Sequence, residues 1–307
     1  MDTIISEYYE LMTKTVTNQQ TIFNIIIESD FKQLLEKDYL LESDIEYINE
    51  SRLSNIVENI KQFLKIMKKK FIDLINMIID KLMKSISSLN KKPKDAKNTS
   101  NNLKTELIVS YRKHNVDSII SELEDILNSV NQSSTDNSII DEMLNIDNNN
   151  LNEINKFKNK YLSSPEDFCR YFLDRYNIKI KPSKNIKSSM LHYFFENEIS
   201  KVKYSDIEDD VTKMPEEADK LKNIMKDIKI NIEKQYNNLM DNVERYTKEA
   251  IKNPEKNNAV SVSTKYELIF NIISELNKLQ MSLIVASTTI LDVEIKQLTV
   301  AKNATIH

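Results

Sequence analysis

The chain runs to 307 residues without a single glycine. Average usage would place about 20 in a chain of this length. Glycine alone reaches positive φ at little cost and lets a backbone approach a ligand closely. Its absence therefore removes Walker loops, dinucleotide fingerprints and nucleophile elbows. It also removes the Asn-Gly and Asp-Gly turns on which hairpin-rich β architectures depend. With only 5 prolines as well, the chain reads as all-α: a multi-helix bundle.

Hydrophobic content of 40%, with 10 Phe and 13 Tyr, is enough to build a core. Abundant Lys, Ile and Asn beside scarce Arg, Ala and Trp fit an AT-rich coding genome. The lone cysteine, Cys169, permits no internal disulfide, so nothing points to an oxidising compartment. The start, MDTIISEYYE, lacks the basic and apolar regions of a signal peptide. No uncharged apolar run of about 20 residues appears, so no ordinary transmembrane helix is expected.

Five stretches follow from patterning. Residues 1–50 are expected to form acidic N-terminal helices, and 51–92 one long amphipathic helix. Residues 93–102 form a Pro-, Lys- and Asn-rich linker. Residues 103–212 form a middle helical region with an aromatic αα-hairpin, and 213–307 a long C-terminal antiparallel helical hairpin. In the second stretch, Leu64, Met67, Phe71, Leu74, Ile75, Ile78, Leu82 and Ile86 share one stripe at 100° per residue.

That helix offers two candidate surfaces. Lys61, Lys65, Lys68, Lys69 and Lys70 make a face for an anionic partner, either a membrane or DNA. Phe71, Ile72, Ile75, Ile78, Ile79 and Leu82 make a surface for lipid or for the protein's own core. An apolar half of about 13 residues is too short to span a bilayer, which favours burial. The acidic segment before the helix competes for its lysines.

In the middle region a helix reads from Leu103 to about Val130. Ser164-Pro165-Glu166-Asp167 marks a helix start, with serine as the cap and proline in the first turn. The helix after it carries Phe168, Phe172 and Tyr176. A second, running from Met190 to Val202, completes an aromatic pair with its own small core. Met214-Pro215-Glu216-Glu217 reads as the next start, opening a seam of Leu221, Met225, Ile228, Ile232, Leu239 and Val243 with a polar skip at Gln235. Thr264-Lys265-Tyr266-Glu267 reads as a capping box. Beyond it, Ile269, Ile272, Leu276, Leu279, Leu283, Ala286, Ile290 and Val293 hold a three–four alternation. This is a candidate assembly seam within the chain or between chains.

Little in the sequence suggests a reaction. His114, His192 and His307 are far apart and show no zinc-ligand spacing. Cys169 and His192 form a thin nucleophile–base pair on paper. Asp206, Glu208, Asp209 and Asp210 lack the pattern of a calcium loop. No catalytic, metal or cofactor site is expected, and no small-molecule substrate.

The acidic segment, then Glu50-Ser51-Arg52-Leu53-Ser54-Asn55-Ile56, then the Lys/Ile/Phe-rich helix to Leu89, resembles small all-helical structural or internal virion proteins of large tailed phages of low-GC Gram-positive bacteria. The resemblance covers about the first 90 residues. It implies a non-enzymatic assembly role with other virion proteins or with copies of itself, a place in the virion after synthesis in the host cytoplasm, and no cofactor. Two other readings stand beside it: a soluble membrane-active, pore-forming-like protein using residues 53–89, and a cytoplasmic coiled-coil adaptor or scaffold.

Overall fold

The computed structural model describes residues 50–90, 108–112, 116–147, 150–183, 185–195, 199–252 and 259–304. The elements in order are α1 (Glu50–Asn90), β1 (Ile108–Arg112), α2 (Val116–Ser133), α3 (Ser138–Leu144), α4 (Leu151–Tyr161), α5 (Pro165–Arg175), α6 (Ile186–Phe195), β2 (Ile199–Lys203), α7 (Glu208–Lys252) and α8 (Ala259–Ala304). The architecture is all-α, a multi-helix bundle. Among the described residues its one departure is a two-stranded antiparallel ribbon, in which Ile108 pairs with Lys203 and Arg112 with Ile199.

Three helices of 41, 45 and 46 residues dominate, each about 60–70 Å long at 1.5 Å per residue. Side-chain pairs fix their relative directions. Lys61 meets Glu244, Lys68 meets Asn237, and Asn76 meets Lys229. Each step forward along α1 is an equal step back along α7, so these two run antiparallel. Phe63 packs on Phe270, Ser85 bonds Asp292, and Lys302 bonds the Leu89 carbonyl. There both numbers rise together, so α1 and α8 run parallel. Tyr236 with Asn277 and Thr247 with Tyr266 place α7 and α8 in opposite directions.

α8 is the hub. It packs against α1, α7, α2, α6, β1, α4, α3 and α5, and from Leu276 to Ile295 every residue but Lys278 and Thr288 is buried. A helix apolar around most of its girth needs neighbours on every side. α7, by contrast, lays its buried stripe mainly along α1 and α2. One continuous core runs from Phe63 to Ala301.

Several expectations are corrected. The helix expected from Leu103 gives way to strand β1 before α2 begins at Val116, and the helix expected to reach Val202 ends at Phe195, with β2 after it. β2's sequence, Ile-Ser-Lys-Val-Lys, sets its two apolar residues three apart, a helical spacing, so nothing local marks it as a strand. The aromatics have no separate core: Phe168, Phe172, Tyr176 and Phe194 join the common one, and α6 lies on α8. Pro215 does not open a helix but sits inside α7, whose first turn holds Glu208, Asp209 and Asp210. Carboxylates there complement the positive end of the helix dipole. Thr264 likewise lies inside α8, which begins at Ala259. The Ser164 cap is as read: its hydroxyl accepts from the Asp167 amide at 3.1 Å, with Pro165 in the first turn. The acidic segment 1–49 and the linker 93–102 lie outside the described residues.

Candidate functional site

The lysine face of α1 divides in two. Lys61 Nζ lies 2.5 Å from Glu244 Oε2, and Lys68 donates to Asn237 Oδ1 at 3.1 Å. Hydrogen bonds from Lys248 and then Lys61 hold the Glu244 carboxyl down at about 2. These two lysines are thus engaged with α7. Lys65 and Lys69 face solvent, and Lys70 is half-buried. Of the five lysines read from the sequence as one face, Lys65 and Lys69 are the two that are exposed.

The apolar half of α1 lies in the core. Phe71, Ile75 and Leu82 are buried, and Ile78 and Ile79 are half-buried against the same cluster. Ile72 is half-buried. All eight candidate seam residues, Ile269, Ile272, Leu276, Leu279, Leu283, Ala286, Ile290 and Val293, are buried within the chain. They are occupied by the protein's own helices and leave no open face there for a second copy.

Cys169 on α5 is 1% exposed, and burial pushes its thiol pKa up, away from the thiolate a nucleophile needs. His192 is exposed on α6, while His114 and His307 lie outside the described residues. Among the described residues no group of three or more His, Cys, Asp or Glu is placed to hold a metal ion.

A dense polar arrangement among the described residues was not legible in the sequence. It centres on the turn between α2 and α3. Gln280 of α8, fully buried, donates from Nε2 to the Ser133 hydroxyl at 2.9 Å and the Ser134 hydroxyl at 3.5 Å. Gln235 of α7 donates to the carbonyls of Ser133 at 3.3 Å and Asp136 at 3.4 Å. Nearby, Asn231 donates to Asn131 Oδ1 at 2.8 Å.

From the same turn, the Asp136 carboxylate accepts from the Ser138 amide at 2.9 Å, from Arg175 at 2.7 and 3.0 Å, and from Tyr176 at 2.9 Å. Burial opposes its ionisation, but the bonds from Ser138, Arg175 and Tyr176 outweigh it and hold the carboxyl at about 2. At the other end of α3, Lys265 of α8, also fully buried, donates to the carbonyls of Leu144 (3.3 Å) and Ile146 and to the Tyr246 hydroxyl (3.3 Å). Burial lowers its ammonium pKa to about 8. A cation suits a helix C-terminus, where carbonyls lack intrahelical partners. The signals were faint: a glutamine interrupting an apolar seam, and a lysine inside what read as a capping box.

No family model, curated protein or solved structure matches this chain.

Proposed function

We propose that this protein is a non-enzymatic structural component that works by helix packing, as a rigid rod within an assembly. One observation carries the reading: three helices of more than 40 residues lie side by side in fixed register, with their polar pairs serving as joints between helices. A phage virion, internal or tail-associated, is the assembly to which the N-terminal resemblance points. The partners are then other virion proteins or further copies, and no cofactor is involved. Since the α8 seam is filled from within, contacts with partners fall on the outer faces of α1 and α7. Light scattering of the full chain over a hundredfold concentration range tests this. A mass rising with concentration, or filaments and rings by electron microscopy, supports the reading. A strict monomer throughout argues for an adaptor instead.

A second reading rests on α8. Thr264–Asn303 is long and apolar enough, by length and composition, to cross a membrane. A membrane-active protein would use this helix rather than residues 53–89, after its neighbours part. Flotation with anionic vesicles at low salt tests it, and absence of binding rejects it.

A further inference from the structure

We infer that α3 is a clasp, held on the α7–α8 pair by polar contacts at its two ends and built to open as a unit while the long helices stay assembled. α3 has only seven residues, far too short to persist alone in water. Its buried apolar side chains are Ile139, Ile140 and Met143. Polar contacts fix its ends as well. Gln235 and Gln280 hold the turn before it through two backbone carbonyls and two hydroxyls. Lys265 holds the carbonyls at its far end.

These contacts hold the turn in one position, and they carry a cost. Among the described residues Gln280 Oε1 is buried without a hydrogen-bond partner, and an acceptor left so costs free energy that an apolar side chain would not. Buried amides of this kind set register in helical assemblies at some expense in stability. Asp136 extends the joint to α5 through Arg175 and Tyr176. The turn therefore keys the short helices onto the rod. When α3 lifts, it uncovers the part of α8 that it covers.

Native-state hydrogen exchange on the full chain tests this. In the unaltered protein, amides of residues 139–144 should exchange through an opening nearly independent of low denaturant, whereas mid-helix amides of α1, α7 and α8 should follow the global transition. In Gln235→Leu with Gln280→Leu, and separately in Lys265→Met, exchange over 133–144 should rise about tenfold or more, with the long helices unchanged. A single opening shared by α3 and the long helices in the unaltered protein overturns the inference. Unchanged α3 protection in the folded variants overturns it too, because the apolar residues then suffice to hold it.

Discussion

Ser85 of α1 donates its hydroxyl hydrogen to the carboxylate of Asp292 on α8, which is only 3% exposed. Lys296, one turn further along α8, reaches the same carboxylate at 2.8 Å. This joins the two parallel helices through a charge-assisted bond in the core. Such bonds contribute about 1.5–3 kcal/mol. Ser85→Ala should destabilise the fold by an amount in that range, read from denaturant midpoints, and Ser85→Thr should restore part of it.

Asp292 also sets an acid-side dependence. Burial raises its pKa above 3.8, with the Ser85 bond and Lys81 opposing the rise. The folded state therefore holds the proton more tightly than the unfolded one. The group's contribution to stability is full below the unfolded pKa and is lost as pH rises through the folded value. Asp292→Asn should flatten the unfolding free energy across that window. Parallel curves for variant and parent would show that Asp292 titrates normally.

Lys265 acts on the alkaline side with the opposite slope. Its pKa falls from 10.5 to about 8 on folding, through burial. The unfolded chain then binds more protons between those values, so stability from this group grows as pH rises from about 8 towards 10. It is lost as pH falls through about 8. Lys265→Met should remove that part of the rise, measured as the difference in midpoint between pH 7.5 and 9.5.

Leu283 is fully buried at the centre of α8. Leu283→Asp places an unpaired carboxylate in the core at a cost of several kcal/mol. Thermal melts should show loss of cooperative unfolding, while Leu283→Met should cost less than about 1.5 kcal/mol.

Lys65 and Lys69 give the contrasting surface test. Both are exposed, so Lys65→Glu with Lys69→Glu should leave stability within about 0.5 kcal/mol. Binding to anionic vesicles or to DNA, where the unaltered chain shows any, should weaken and lose part of its salt dependence. Equal binding by both proteins removes the lysine face as a contact.

Periodicity carried most of the fold. The stripes of α1 and α7 are buried, apart from the half-buried Ile78, because a helix in water must hide one side, whereas α8 buries far more than its three–four alternation. What escaped was decided by tertiary context. β1 and β2 are five residues each, and their pairing joins positions about ninety apart, which no local window reports. Pro215 and Thr264 carry helix-start chemistry, yet the packing of α7 and α8 extends both helices upstream of them. Gln235 reads as a polar skip in the α7 seam, and Gln280 gives no signal at all, because their partners at Ser133 and Ser134 lie about a hundred or more positions away. The lysine face was legible in position, but its division between Lys61 with Lys68 and Lys65 with Lys69 depended on where α7 lies.

The parallel pairing of α1 with α8 bears on how the chain is made. Ser85 and Asp292 are 207 positions apart in sequence. Synthesis proceeds at about 5–20 residues per second, so α1 leaves the ribosome some ten seconds or more before its partner exists. Through that interval Phe71, Ile75 and Leu82 have no α8 to cover them. Folding dominated by such distant contacts is slow and exposed to aggregation. The lysines along the outer side of α1 then have a task before the fold is complete: keeping a nascent, half-dressed helix in solution until its companion arrives.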